Sequence, residues 1–228
     1  MASLRQSLAI MTERLRDRAR DLAEFAADAT HELKGPITAI RGAAELLREQ
    51  WGAMDGAQRE RFLANIDVDA ARMERLVSRL LHLARIGSTP DATEEVDVAS
   101  FFRALGERFG DAVRVELRSP PPRLAIGADH LHSAVQNLVE NAVRHRGGLP
   151  VEVTVDGRRG RLVVEVRDHG PGISAASQQR LFQRFFTTCP DEGGTGLGLA
   201  IVKAVAERYH GAVTWKTGPE GTSFELVV

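Results

Sequence analysis

The chain has 228 residues, 43% of them hydrophobic, and a formal net charge of -1. That length suits one large domain or two small ones, and the near-neutral charge gives no ground for expecting nucleic-acid binding. A single cysteine, Cys189, excludes an internal disulfide and a cysteine-only metal site, and no apolar run reaches the roughly 18 residues that span a bilayer. The polypeptide is therefore expected to be soluble, without a signal peptide, and the lone cysteine fits a reducing cytoplasm. Only Lys34, Lys203 and Lys216 are lysine, so the positive charge is nearly all arginine; base-composition bias accounts for that before function does.

Residues 1–30 carry a heptad trace. Leu4, Leu8, Met11, Leu15, Leu22, Phe25 and Ala29 alternate spacings of four and three, with Arg18 in the one gap. This is a coiled-coil seam. The same helix is expected to continue through His31 to about Gln50, bent where Pro36 removes a backbone donor. "WGAMDGA", 51–57, reads as a turn. A second helix is expected over about 58–86, with Phe62, Ile66, Met73, Leu76, Leu80 and Leu83 on one face and Asp69 the polar step. Two such helices make a hairpin whose apolar stripe cannot stand alone. Two copies would pair as a four-helix bundle, so a homodimer is the physical expectation.

"GSTPDATEE", 87–95, is a linker by composition. Beyond it the period changes. Strands are expected at 151–156, 161–168, 212–217 and 222–228, and helices at about 97–109, 129–146 and 196–209. This half reads as an α+β two-layer sandwich, with helices on one face of a mixed sheet.

Three local patterns in this half bear on chemistry. Asn137 and Asn141 lie four apart on one helical face, with Arg144 nearby. Carboxamide oxygens can ligate Mg²⁺ beside phosphates; two solvated asparagines are the plainer reading. Asp168-His-Gly170-Pro-Gly172 ends a strand. Alone it is a turn, but a buried carboxylate there could accept a bond from an exocyclic amine such as adenine's, with glycines letting the chain pass close. "GGTGLGLAIVKAVAE", 193–207, runs four glycines into an amphipathic helix whose first N–H groups suit phosphate. The spacing fits neither a dinucleotide-binding fingerprint nor a P-loop.

The order of these three patterns strongly resembles the catalytic ATP-binding domain of sensor histidine kinases, a domain of the Bergerat or GHKL type shared with gyrase and heat-shock chaperones. Asn137 to Asn141 resembles the N box, Asp168 to Gly172 the G1 box, "LFQRFF" (181–186) the F box and Gly194 to Gly198 the G2 box. "FAADATHELKGPITAIRGAAELL", from Phe25, resembles the H box, and residues 1–24 the end of a HAMP domain and its signalling helix. The resemblance covers nearly the whole chain. It implies a multidomain protein: signalling coiled coil (1–24), dimerisation and phosphotransfer hairpin (25–87), linker (88–96) and ATP-binding domain (97–228).

It also implies roles. His31 is the phosphoacceptor, Glu32 hydrogen-bonds or takes a proton from its ring, and Lys34 helps neutralise phosphate charge. Asn141 and Asn137 hold Mg²⁺ against ATP, and Asp168 reads adenine. Gly170, Gly172, Ile173, Phe182, Thr195 and Leu197 line the nucleotide site, as does His145, packed after the N box. Gly194, Gly196 and Gly198 form the phosphate-side turn, Arg144 and Arg184 contact phosphate, and 173–193 is a mobile lid. Phospho-His31 then passes its phosphoryl group to an aspartate on a response regulator's receiver domain. Gly35 stands where the family often has threonine, asparagine or serine, which implies weak phosphatase activity toward that regulator. Related gyrase-type ATPases use a glutamate base where this chain has Asn137, which disfavours plain hydrolysis. A regulatory module that binds ATP but transfers little is the competing reading. A missing upstream membrane sensor is implied, with this chain on the cytoplasmic side of a bacterial inner membrane.

Overall fold

The structure is a computed structural model describing residues 2–86, 95–189 and 194–228, with side chains from residue 11 onward except 14, 17, 18 and 21. The side chains of Leu4, Leu8 and Arg18 of the heptad, most of the 87–95 linker, and the lid segment 190–193 lie outside what is described. The chain forms two compact units, Met1–Leu80 and Leu81–Val228.

The first unit is a pair of helices, α1 (Ala2–Gln50) and the greater part of α2 (Gly56–Ile86). Helix α1 continues through Pro36, which the sequence marks as its weak point. Proline has no N–H to give the carbonyl one turn earlier, that of Glu32. The start of α2 is specified locally. Gln58 N donates to Asp55 Oδ1 (2.8 Å) while Asp55 N donates to Gln58 Oε1 (3.0 Å), a reciprocal capping box. Arg59 crosses the turn, donating to Trp51 O at 2.5 Å with its guanidinium 4.6 Å from the Trp51 ring. Leu47, Met54 and Leu76 are buried. Met11, Leu15 and Leu22 of the heptad trace stay exposed, as do Ile37, Leu63, Val68 and Val77, whereas Phe62, Ile66, Met73, Leu80 and Leu83 of the expected stripe are half-buried.

The second unit holds a five-stranded sheet in the order β2-β4-β5-β7-β6. Its strands are β2 (Val113–Leu117), β4 (Val151–Arg158), β5 (Arg161–Arg167), β6 (Ala212–Gly218) and β7 (Gly221–Val227). Strand β2 runs parallel to β4 and every other pairing is antiparallel, which makes the sheet mixed as expected. Val151, Val153 and Val155 alternate into the core with Leu162, Val164, Val166, Phe224 and Leu226. Helices α3 (Val98–Phe109), α4 (Ala128–His145) and α6 (Gly198–Arg208) supply Phe102, Leu131, Val135, Leu138, Ile201 and Val205 to the same core. The two-layer sandwich is therefore present.

Three details differ from the sequence expectation, the first being strand β2, which none of the expected strands includes. Residues 95 and 96, expected in the linker, form with Asp97 the strand β1 (Glu95–Asp97), paired antiparallel with β3 (Arg123–Ala125). Asp97 then caps α3, accepting from Ser100 N at 2.7 Å, and these bonds hold its carboxyl below the usual range. A short helix, α5 (Ala175–Gln178), lies within the expected lid. The compact second unit begins at Leu81, because the last turns of α2 pack with it. Ile86 there is 1% exposed, and its carbonyl accepts from Arg208 Nη1 at 2.8 Å.

Candidate functional site: a helix histidine and a glycine-framed cleft

His31 sits on α1 with its side chain exposed. Its neighbours show how a helix can be kept intact beside a proline. Thr30 Oγ1 donates to Ala26 O (2.7 Å) and Thr38 Oγ1 to Lys34 O (2.8 Å), each bonding back one turn. Glu32 is half-buried and Lys34 exposed; among the described residues no hydrogen bond joins Glu32 to His31. Gly35, one turn after His31, has nothing within 4 Å of where a Cβ would stand. Glycine is not required there by space.

In the second unit, β5 ends at Arg167 and delivers Asp168 into the interior at 3% exposure. Asp168 Oδ1 accepts from Gly170 N (2.9 Å) and Thr222 N (3.2 Å), while Asp168 N donates to Thr222 O (2.9 Å). One carboxylate oxygen is thus spent on shaping the turn, and Oδ2 carries none of these bonds. The turn is held so tightly that side chains are excluded. A Cβ on Gly170 would collide with His145 O at the end of α4, and one on Gly147 with His169 O. Gly172 has φ +78 and lies against Gly218 O, so glycine is needed twice over.

Two residues that sequence reasoning missed lock this turn. Thr217 Oγ1 accepts from Ile173 N (2.8 Å) and bonds Thr222 Oγ1 (3.0 Å), and Thr222 is 4% exposed. They face each other across the β6–β7 register, which no local pattern reveals. Gln178 Nε2 of α5 donates to Ile173 O (2.9 Å), so Ile173 is held on both backbone groups.

Asn137 and Asn141 project from α4, both half-buried. Asn137 Nδ2 donates to Ser133 O at 2.8 Å, which turns Oδ1 the other way. That oxygen lies 2.9 Å from where a Cβ on Gly198 would be, so it abuts the first residue of α6. Asn141 makes no hydrogen bond among the described residues. Helix α6 starts without a side-chain cap, and its first internal bond is Ile201 N to Leu197 O (2.9 Å). Its first N–H groups therefore have no intrahelical acceptor. Gly196, at φ +66, passes against the backbone of Phe185, itself at φ +63, and Gly194 lies against Thr187 and Cys189. Thr195 and Leu197 are buried. The structure thus joins Asn137, Gly194, Gly196, Gly198 and the 185–189 stretch at one place. Arg144 and Arg184 are exposed, and His145 is half-buried. Phe182 sets its ring edge against Trp215 of β6, centroids 5.4 Å apart.

Among the described residues no group of three or more His, Cys, Asp or Glu is placed to hold a metal ion. Carboxamides are the donor set that the cleft offers. A hard cation held with phosphate oxygens needs only one or two of them, which the free Asn141 and the oriented Asn137 satisfy.

Family models match both units in turn. Residues 21–89 match the His Kinase A (phospho-acceptor) domain, and 127–228 match the histidine kinase-, DNA gyrase B- and HSP90-like ATPase. The chain belongs to the sensor histidine kinases of two-component systems. Among curated relatives, the probable sensor histidine kinase TcrY of Mycobacterium tuberculosis is 35% identical over 89% of this chain and 45% of its own length. Sensor protein CreC of Escherichia coli is 35% identical over 84% of this chain and 42% of its own. This histidine kinase chain therefore spans less than half the length of either relative. Among solved structures, full-length ShkA in complex with AMPPNP has a TM-score of 0.64 at 25% identity, covering 90% of this chain and 45% of that one. Histidine kinase ThkA, in complex with the response regulator TrrA, has a TM-score of 0.71 at 21% identity, covering 93% and 63%. No described helix is long and apolar enough to cross a membrane.

Proposed function

We propose that this chain is the kinase core of a membrane sensor. It would take the γ-phosphoryl group of ATP onto His31 and pass it to an aspartate of a response-regulator receiver domain. The observation that carries the nucleotide half is the placement of Asn137 Oδ1 at the uncapped start of α6, beside a glycine turn that excludes side chains. The family models supported by both units carry the rest.

In this reading Asp168 Oδ2 accepts from the adenine amine while Oδ1 keeps the turn closed. The first N–H groups of α6 and the Gly194–Gly198 turn receive phosphate oxygens. Asn141, with Asn137, holds Mg²⁺, which offsets phosphate charge when bound with ATP. A neutral His31 nitrogen attacks the γ-phosphorus: an N–P bond forms, the bond from phosphorus to the β,γ-bridging oxygen breaks, and ADP leaves. Glu32 accepts the proton shed by the other ring nitrogen. Most of the rate comes from positioning and charge stabilisation. Asn137 cannot serve as a general base, so transfer to His31 is favoured over hydrolysis by water. The apolar residues of α1 and α2 that one chain leaves uncovered pair with a second copy as a four-helix bundle. Residues 1–24 carry the signal from a HAMP-type segment, which places the chain on the cytoplasmic face of an inner membrane. Gly35 gives no side-chain hydrogen bond one turn from His31, so phosphatase activity toward the regulator is weak.

The test is incubation with γ-labelled ATP, with Mg²⁺ or with a chelator. The reading expects label retained on the protein only with Mg²⁺. Labelled inorganic phosphate released with none retained would mean an ATPase, and ATP binding with neither would mean a regulatory module.

A further inference from the structure

The end of α2 is held in the second unit by a cluster that the phosphotransfer reading does not use. His82 lies on that last stretch, and its Nε2 is shut off from solvent with no hydrogen-bond partner. From α4, His130 is 8% exposed, and its Nδ1 lies 2.8 Å from Tyr209 Oη just beyond α6. The two rings meet edge-on at 5.8 Å. Tyr209 Oη also accepts from Gly127 N at 2.9 Å, at the start of α4. When His130 Nδ1 carries no proton, the tyrosine can donate its own proton to it while accepting from Gly127 N. Beside them Arg208 Nη1 caps the carbonyl of Ile86, the last residue of α2.

We propose that His82 and His130 form a pH-sensitive latch that fastens the end of α2 against α4 and α6, and that acidification opens it. Charge makes the closed state intolerant of protons. Two imidazolium rings would join Arg85 from α2 and Arg208 from α6, with Asp129 of α4 the acid opposing them. A protonated His130 would also need its Nδ1–H accepted by Tyr209, which leaves the phenol proton without its present acceptor. Burial lowers the pKa of both rings: for His82 burial is the largest cause, opposed by Asp129 and aided by Arg85, and for His130 burial is followed by Arg208 and His82. A histidine with a depressed pKa favours the closed state while neutral. That contribution is fully present above the free imidazole value of about 6.5 and is lost as pH falls below it toward the closed-state value. Because α2 is one helix from Gly56 to Ile86, its C-terminal attachment is where the chain tethers the ATP-binding unit.

Amide hydrogen exchange of the whole chain, corrected for intrinsic pH dependence, reads the latch directly. Protection of the amides of 83–86 is compared with that of Leu131–Leu138 between about pH 7.5 and about pH 5.5. The expected result is a selective loss of up to about tenfold for each ring, because pH 5.5 lies about one unit below the free imidazole value. His82→Leu combined with His130→Gln should keep 83–86 protected at both values. Tyr209→Phe, which removes the donor that favours a neutral His130, should narrow the difference in protection between the two pH values and serves if the double variant does not fold. Protection in the wild type that does not change with pH, or an equal loss in the double variant, overturns the latch. The readout needs neither ATP nor His31, so its failure leaves the kinase reading standing.

Discussion

Replacing Asp168 by asparagine separates the two jobs assigned to its oxygens. Oδ1 accepts from Gly170 N at 2.9 Å and Thr222 N at 3.2 Å. An asparagine can keep its oxygen toward both N–H groups, and its Nδ2 then stands where Oδ2 stood. The turn survives with neutral acceptors, but an adenine amine meets a donor instead of an acceptor. A hydrogen bond to a charged group contributes roughly 1.5–3 kcal/mol, and opposed donors add to the loss. The combined cost is about 2–4 kcal/mol, which is roughly 30- to 900-fold in ATP affinity. Calorimetric titration of ATP into wild type and D168N measures it, with circular dichroism confirming that the fold persists. An ATP affinity within about threefold of wild type, in a folded variant, would refute the assignment of Oδ2 to the base.

Asn141→Ala should leave the melting temperature nearly unchanged, since Asn141 makes no hydrogen bond among the described residues, yet abolish Mg²⁺-dependent labelling; a thermal melt and a labelling assay together check this. Gly198→Ala places a methyl 2.9 Å from Asn137 Oδ1 and must push one of them aside, so labelling should fall at least about tenfold while α6 itself tolerates alanine. Gly35→Thr has open space for its side chain and should raise dephosphorylation of the partner regulator in a purified assay, with the helix no less stable than before. An unchanged dephosphorylation rate removes the role given to that position.

The parts of the fold with a long, clean period are legible in the sequence alone. Helices α4 and α6 show it, and so do β4, β5 and β7, whose valines and leucines alternate into one core. Strands β1 and β3 are three residues each, too short to carry a period, and they exist because they pair with each other. The last turns of α2 look like the rest of that helix in sequence, and only packing shows that Ile86 belongs with the second unit. The candidate site divides the same way. Asn137 and Asn141 declare a shared face through their spacing, and the glycines declare close approach. Thr217 and Thr222 do neither, because their partnership is a matter of strand register. The crowding that a side chain at Gly198 would meet is likewise a fact about Asn137, 61 residues earlier in the chain.

The central claim is that His31 receives the phosphoryl group. Wild type and His31→Ala, each with γ-labelled ATP and Mg²⁺, test it most directly, with ATP binding measured in both. His31 is exposed on α1, so the substitution leaves the second unit as it is. The account predicts acid-labile, base-stable label on the wild type and none on the variant, at equal ATP affinity. Label that persists on His31→Ala, or that survives acid, would contradict it.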